Sequence, residues 1–295
     1  MKKLLLVFNP KAGRGEFPKY LYDVVEMFTR EGFEVTAYPT SGIGDAYNFI
    51  LERGKDFDLI TCSGGDGIMN EAANAYIKLK TLPPLSYIPC GTTNDFAVSL
   101  GLPVTIPEAA KAILDGRPRQ VDAGLFGDKY FTYVAAFGQF TEVPYVTAQS
   151  AKNILGRAAY FLEGIKQLGS IHDICCKIDI DGEIIIGNFM LGIITNSTSV
   201  GGFKFQPEND SAMDDGLFET IFVRRPKNIQ EQSDIIATLT NPEANTEMIV
   251  MRSAKKVFIE AEGPCDWTID GEYGGRHKQI TIENVHRALE IIAPS

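Results

Sequence analysis

Strand and helix signals alternate along the first hundred residues, and this alternation restricts the possible folds more than any other feature. Predicted strands cover residues 4–9, 33–38, 59–62 and 85–88, and predicted helices cover residues 21–31, 44–53, 68–80 and 94–100. Strands that alternate with helices of this length form βαβ units with a mainly parallel sheet. The first third of the chain is therefore predicted to be an α/β domain.

The pattern changes near Asp122, and stretches typical of β-structure predominate beyond it. They cover residues 129–137, 176–180, 183–196, 217–223, 256–261 and 279–285, and helices are predicted only at 158–168 and 229–239. Turn pairs such as Asp181-Gly182 separate the strands and suit tight hairpins. This part of the chain is predicted to be an antiparallel β domain.

Composition excludes several functional classes. The chain has 38 acidic and 28 basic residues and a net charge of −10, which argues against nucleic acid as a partner. Its five cysteines form no CxxC pair, as is typical of the reducing cytosol. The apolar start is too short for a signal peptide, and no stretch is long and apolar enough to cross a bilayer. We expect a cytoplasmic protein without a transmembrane segment.

Three polar, glycine-bearing segments follow predicted strands. They are Asn9-Pro10-Lys11-Ala12-Gly13, Ser63-Gly64-Gly65-Asp66-Gly67 and Pro89-Cys90-Gly91-Thr92-Thr93-Asn94-Asp95. An open parallel sheet binds ligands outside the carboxyl ends of its strands, where glycines and helix N-termini can approach phosphates. Each segment alone could be only a strand-to-helix turn. Three at corresponding strand ends indicate a phosphate-binding site.

Asp66 adds a requirement to this site. A carboxylate beside a triphosphate is repulsive unless a divalent cation lies between them, so a nucleotide site here predicts Mg²⁺. The sequence contains neither GxxxxGK[ST] nor GxGxxG. A P-loop protein is therefore excluded, and a standard Rossmann dinucleotide site is disfavoured.

The three segments, together with Asn70-Glu71 and Phe96-Ala97, resemble the signature of the diacylglycerol kinase catalytic domain superfamily, which includes sphingosine, ceramide and bacterial lipid kinases. The resemblance runs through the whole chain. It implies a nucleotide domain like that of phosphofructokinase and NAD kinase at residues 1–123 with 286–295. It also implies a C-terminal antiparallel β-sandwich, the lipid-substrate domain, at residues 124–285.

The resemblance further implies which residues contact ATP. They are Asn9, Pro10, Lys11, Ala12, Gly13, Thr40, Gly65, Asp66, Gly67, Ile68, Met69, Asn70, Glu71 and Thr92. The family usually has threonine at the position of Ile68. If that hydroxyl contacts phosphate, its loss would weaken nucleotide binding; alternatively, Ile68 only packs the start of the helix.

Two later motifs match the same family. Asp270-Gly271-Glu272 resembles the family's catalytic Asp-Gly-Glu motif. The resemblance thus implies that Asp66, Asp270 and Glu272 are the catalytic residues. The residue types of the motif alone indicate only a hairpin turn. Met213-Asp214-Asp215-Gly216-Leu217 resembles a bacterial structural Mg²⁺ site, held by Asp215 and the carbonyls of Ala212 and Leu217. Carboxylate and carbonyl oxygens suit a hard cation.

The resemblance implies an ATP- and Mg²⁺-dependent kinase of phospholipid biosynthesis that converts diacylglycerol to phosphatidic acid. The alternatives are a kinase for a sphingoid base, phosphatidylglycerol or undecaprenol, an NAD kinase, and an inactive nucleotide- or lipid-binding regulator. A lipid substrate requires transient, peripheral contact with the inner membrane surface. The basic residues Arg14, Lys152, Arg157 and Lys166 and the helix at 158–168 are candidates for it. A homodimer is possible.

Overall fold

Two compact units divide the chain. The structure, a computed structural model, describes residues 1–91, 94–138, 173–197, 199–200, 203–204, 213–240 and 246–294. The first unit comprises Met1–Ala123, Lys129–Thr132 and His286–Ser295, and the second comprises Gly124–Asp128 and Tyr133–Val285. The helix predicted at 158–168 and the basic residues Lys152, Arg157 and Lys166 lie outside the described residues.

A parallel sheet flanked by helices forms the first unit. Its strands include β1 (Lys2–Phe8), β2 (Phe33–Pro39), β3 (Leu59–Gly64) and β4 (Leu85–Pro89), and the short strand β6 (Lys129–Phe131) pairs with β5 (Arg117–Phe126). Its helices are α1 (Phe17–Arg30), α2 (Asp45–Arg53), α3 (Asp66–Leu79), α4 (Asp95–Ser99) and α5 (Ile106–Asp115). The order β2-β1-β3-β4 is parallel throughout. The carboxyl ends of these strands therefore lie along one edge of the sheet.

Burial on both faces of β1 explains its continuous apolar sequence. Leu4, Leu6 and Phe8 lie in one core cluster with Phe17, Val24 and Phe28 of α1 and with Ile106, Ala109 and Ile113 of α5. The alternate residues Leu5 and Val7 are also fully buried. The sequence of a strand that is covered on both faces is an uninterrupted apolar run, which is typical of strands in parallel sheets.

Antiparallel pairing dominates the second unit. Its strands are β7 (Val134–Gly138), β8 (Ile174–Ile180), β9 (Glu183–Thr195), β10 (Ser199–Val200), β11 (Phe203–Lys204), β12 (Phe218–Arg224), β13 (Ile249–Ala254) and β14 (Lys256–Ile269). β5 (Arg117–Phe126) and β15 (Glu272–Ala293) each contribute residues to both units, and helix α6 is Ile229–Thr240. Ile235 of α6 packs on Met190, Ile221 and Val223.

The mixed α/β class predicted from the alternation is confirmed, and most elements coincide with the predicted ones. Two differences have physical reasons. Helix α5 was not predicted, although Ile106, Ala109, Ala110 and Ile113 are buried at helical spacing. β14 and β15 extend far beyond the predicted 256–261 and 279–285 because they continue to pair past a register shift between Glu260 and Cys265. The likeness of the first unit to phosphofructokinase and NAD kinase stays a prediction.

Candidate functional site

The three glycine-bearing segments of the first unit lie side by side. The backbone N–H of Asn9 donates to the Ser63 carbonyl at 2.9 Å, and that of Cys90 donates to the Gly64 carbonyl at 2.8 Å. The turns after β1, β3 and β4 are thereby joined at one edge of the sheet. This edge is where an open parallel sheet offers its ligand site.

Glycine is required where these turns touch. A Cβ atom on Gly91 would lie 2.5 Å from the Cα of Gly65 and 2.8 Å from Asn94 Oδ1. Gly13 has a φ of +58°, and a Cβ there would overlap the carbonyl oxygen of Cys90. No side chain therefore fits between the turns, and their backbone N–H groups can approach a phosphate closely.

The turn at Asn9 is held by its own side chain. Asn9 Oδ1 accepts the Lys11 N–H at 2.9 Å, and the Ala12 N–H donates to the Asn9 carbonyl at 3.2 Å. The Lys11 side chain is exposed, and no ion pair within the described residues engages it. The Thr40 hydroxyl donates to the Phe8 carbonyl at 3.3 Å, which ties the end of β2 to that of β1.

Asp66 begins α3 and faces a second helix start. Its carboxylate oxygens accept the N–H groups of Asp95 and Phe96, each at 3.4 Å. Asn94, at a φ of +53°, accepts the Gly91 N–H through Oδ1 at 2.9 Å, which holds the turn before α4. The carboxylate of Asp66 thus lies among polarised backbone groups at the strand ends. Thr92 lies outside the described residues.

Ile68 and Met69 point into the protein. Ile68 is 7% exposed, and its side chain lies against Gly64. A Cβ atom added to Gly64 would lie 2.8 Å from Cγ2 of Ile68. Met69 is fully buried. These side chains pack α3 onto β3, so any contact with a nucleotide would come from their backbone. The placement supports the packing interpretation of Ile68.

Asn70 and Glu71 have partners within the protein. Asn70 Nδ2 donates to the Tyr130 carbonyl at 3.1 Å. The two oxygens of Glu71 accept the N–H groups of Gly44 at 2.8 Å and Tyr47 at 3.2 Å, so Glu71 caps the start of α2. Both residues were predicted to contact nucleotide. The structure gives each a role in joining neighbouring elements.

Nucleophilic cysteine chemistry is disfavoured near this edge. Burial raises the pKa of the Cys62 thiol to about 12. Burial likewise raises the pKa of the Cys90 thiol, whose sulfur lies 3.6 Å from Ser63 Oγ. Neither thiol is appreciably ionised near neutral pH, and the thiolate is the reactive form of cysteine.

In the second unit, Asp270 and Gly271 form the tight turn between β14 and β15. Their φ angles are +48° and +85°, and Ile269 pairs with Glu272, as in a two-residue type I′ hairpin. Asp270 Oδ1 accepts the N–H groups of Tyr133 and Val134, both at 2.9 Å. The Glu272 residue is exposed, and no hydrogen bond within the described residues engages its side chain. The motif therefore pairs an anchored carboxylate with an accessible one.

Part of the segment that was predicted to hold a structural Mg²⁺ lies within the described residues. Asp215 Oδ1 accepts the Leu217 N–H at 2.8 Å, and the Leu217 carbonyl accepts Asn284 Nδ2 at 3.1 Å. Among the described residues, Asn284 Oδ1 is buried and has no hydrogen-bond partner. Carboxylate and carbonyl oxygens such as those of Asp215 and Leu217 suit a hard cation. Ala212 lies outside the described residues, which contain no cluster of three or more His, Cys, Asp or Glu side chains suited to a metal.

The sequence did not predict that Asp122 is a buried, hydrogen-bonded carboxylate. Its side chain is fully buried in the first unit, accepts the Arg287 N–H at 2.6 Å and lies 3.1 Å from His286 Nδ1. A buried carboxylate bound to a distant strand needs specific partners. The only sequence signal was its position in Val121-Asp122-Ala123-Gly124, where the pattern changes.

Within the part of the chain that the structure describes, no helix is long and apolar enough to span a membrane.

Known proteins resemble the chain over its whole length. The family model described as diacylglycerol kinase catalytic domain matches residues 3–126. The chain is 34% identical to a diacylglycerol kinase of Bacillus subtilis, over 100% of this chain and 97% of the relative. It is 32% identical to a diacylglycerol kinase of Staphylococcus aureus, over 100% and 93%. A crystal structure of a diacylglycerol kinase from Bacillus anthracis superposes with a TM-score of 0.82 at 27% identity, covering 99% of this chain and 97% of that one.

Proposed function

Because the chain belongs to the diacylglycerol kinase family and is therefore a lipid kinase, we propose that it transfers the γ-phosphoryl group of ATP to the hydroxyl of diacylglycerol. The product is phosphatidic acid. The observation that carries the proposal is the joining of three glycine-bearing turns at the carboxyl edge of the parallel sheet. The identity to diacylglycerol kinases over nearly their full length supports the lipid acceptor.

The nucleotide phosphates would lie on the turns after β1, β3 and β4. The backbone N–H groups of Gly13, Gly65 and Gly67 would contact the phosphates, and α3 would contribute the positive end of its dipole. Lys11, which has no ion-pair partner within the described residues, would neutralise charge on the phosphates. Thr40, Thr92 and the remaining residues of 9–13 and 65–71 would complete the pocket through backbone contacts and packing.

Two roles are proposed for Mg²⁺. Asp66, held at the start of α4, would orient the ion that neutralises the phosphate oxygens during transfer. Asp215 and the carbonyls of Leu217 and Ala212 would hold a structural ion, because carboxylate and carbonyl oxygens suit a hard cation. When bound, the ion at Asp66 supplies electrostatic stabilisation of the developing charge.

Glu272 is the proposed general base. The lipid hydroxyl gives its proton to the Glu272 carboxylate while its oxygen forms the new bond to phosphorus. The bond from that phosphorus to the bridging oxygen breaks, and ADP carries away the electron pair. Asp270, anchored by the N–H groups of Tyr133 and Val134, positions the turn that presents Glu272 and assists the proton relay.

The acceptor can be identified directly. The purified chain is incubated with γ-labelled ATP, Mg²⁺ and mixed micelles that contain diacylglycerol, sphingosine, phosphatidylglycerol or undecaprenol, with NAD in a parallel reaction. We expect label in phosphatidic acid and its loss when EDTA removes the metal. Label in another lipid would show that this lipid, and not diacylglycerol, is the acceptor. Label in NADP would indicate an NAD kinase. Nucleotide binding without transfer to any acceptor would indicate a regulator.

Substitutions at Asp270 separate its structural role from its chemical one. Asparagine retains an oxygen for the two N–H groups and tolerates the left-handed backbone, so we expect Asp270→Asn to fold normally but to lose most phosphoryl transfer. Alanine leaves two buried donors unsatisfied, which costs about 1–3 kcal/mol each and lowers the Tm by several degrees. Thermal unfolding and turnover are measured for both. Equal losses of Tm in the two variants would contradict the anchoring role.

A further inference from the structure

Three polar side chains line one face of helix α3. Asp66, Asn70 and Asn74 follow one another at intervals of four residues, and residues four apart lie on the same face of a helix. Asparagine is a poor helix former, whereas alanine, the best one, occupies both positions beside Asn74. Two asparagines in the interior of this helix therefore require a reason from the tertiary structure.

The side-chain amide of Asn74 pairs with the backbone of Tyr130 in strand β6. Asn74 Nδ2 donates to the Tyr130 carbonyl at 3.1 Å, and Asn74 Oδ1 accepts the Tyr130 N–H at 3.2 Å. Asn70 Nδ2 donates to the same carbonyl at 3.1 Å, and Asn74 Nδ2 also donates to Asn70 Oδ1 at 3.0 Å. Both backbone polar groups of Tyr130 are thus bonded to α3, the helix that begins at Asp66.

A short buried segment follows Tyr130. Only Thr132 and Tyr133 lie between the end of β6 and the start of β7, and residues 131–134 are all buried. The Tyr133 carbonyl accepts Thr195 Oγ1 at 2.8 Å, which holds the segment in place. Buried and hydrogen-bonded residues have little freedom to absorb a displacement at one end. A shift of Tyr130 is therefore expected to move the residues that follow it.

The far end of this segment holds the turn that presents Glu272. The N–H groups of Tyr133 and Val134 donate to Asp270 Oδ1 at 2.9 Å each, and the Asp270 N–H donates to the Val134 carbonyl at 2.8 Å. The contacts of Tyr130 lie within the first unit, and those of Tyr133 and Val134 lie within the second. The chain itself joins the two sets of contacts.

We propose, on the basis of the proposed function, that Asn74 is a positioning residue for phosphoryl transfer. By holding Tyr130, Asn74 fixes residues 131–134 and with them the turn that carries the proposed base, Glu272. Asn74 acts through these residues and needs no contact with nucleotide or lipid. A misplacement of about 1 Å can reduce turnover about a hundredfold. Loss of the Asn74 amide should therefore lower kcat and leave nucleotide affinity unchanged.

Asn74→Ala in the full-length chain tests the role of the amide. With γ-labelled ATP and diacylglycerol micelles, kcat should fall about 10- to 100-fold. The KM for ATP and the Kd of a non-hydrolysable ATP analogue should not change, because the turns that would bind phosphate are untouched. Asn74→Asp keeps the size of the side chain and its acceptor oxygen but loses the donor. This variant should fold as the wild type does and should also lose kcat.

Asn48→Ala is the matched control, because Asn48 is an exposed asparagine on helix α2 of the same unit. Its side chain has no hydrogen bond to any residue that the structure describes. The variant should retain the kcat and the Tm of the wild type. Parallel falls of Tm, nucleotide affinity and kcat in both Asn74 variants would show a purely structural role and would overturn the proposal.

A double-mutant cycle shows whether Asn74 acts through Glu272. Residues that act as a unit have non-additive effects, so Asn74→Ala should cause little further loss of kcat in a Glu272→Gln background. The full 10- to 100-fold loss in that background would overturn the proposal, and so would wild-type kcat in Asn74→Ala. Wild-type turnover in Glu272→Gln alone would refute the proposed base, and the role of Asn74 with it. Absence of label from every lipid would refute the lipid kinase activity itself.

Discussion

Replacing Glu272 by glutamine is expected to lower the turnover of lipid phosphorylation roughly 10²–10⁴-fold while the protein remains folded. Glutamine keeps the size and the hydrogen-bonding oxygen of the side chain but cannot take a proton from the lipid hydroxyl. The side chain is exposed and unengaged within the described residues, so its replacement removes no packing. The measurement is turnover of the lipid acceptor at saturating ATP, with thermal unfolding of the same preparation.

Glu283→Gln is the matched control, because it makes the same chemical change on the same strand. The Glu283 side chain is 44% exposed and pairs with Lys256 at 2.6 Å. An exposed ion pair contributes at most about 1 kcal/mol, so this variant should retain both stability and turnover. Wild-type turnover in Glu272→Gln would remove Glu272 from the mechanism. A similar loss in both variants would show that the effect is not specific to the proposed base.

Gly91→Ala is expected to reduce turnover by about a hundredfold, which is the typical effect of moving a positioning group by about 1 Å. The added Cβ would lie 2.5 Å from the Cα of Gly65, a backbone atom that cannot rotate away. The turns after β3 and β4 must therefore separate. Nucleotide affinity, measured by calorimetry with a non-hydrolysable ATP analogue, should fall with the turnover.

Gly42→Ala tests whether this effect depends on close approach. No atom lies within 4 Å of a Cβ at Gly42, and its φ is not in the left-handed region. The same substitution there should leave nucleotide affinity unchanged. Unchanged affinity in Gly91→Ala would mean that the joined turns do not form the nucleotide site, whatever the acceptor. A drop of equal size in both variants would indicate a general loss of stability.

The parallel core was predictable because its information is local. Most residues of β1, β3 and β4 are buried on both faces, so each of these strands has a largely apolar sequence, and the predicted positions agree closely with β1 to β4. Helix α5 was missed because Pro103 and the small residues Ala109 and Ala110 weaken the apolar pattern. The full lengths of β14 and β15 depend on pairing across the sheet, which no local window contains.

The features of the candidate site also fall into those that the sequence predicted and those that it did not. Glycine turns at the ends of three strands were visible in the sequence, because close backbone approach requires that residue type. The partners of Glu71 and Asn70 were not visible in the sequence, because the residue type does not distinguish an exposed carboxylate from one that caps a helix. Asp122 was missed because its partner, the Arg287 backbone N–H, is 165 residues away.

By itself the sequence determined the alternation of strands and helices, the three phosphate-type turns and the family resemblance, because burial patterns and backbone freedom are properties of neighbouring residues. Only the tertiary structure decided which carboxylates are anchored and which are accessible. It also placed the Ile68 side chain against Gly64. These features depend on contacts between residues that are distant in the chain, and folding alone brings such residues together.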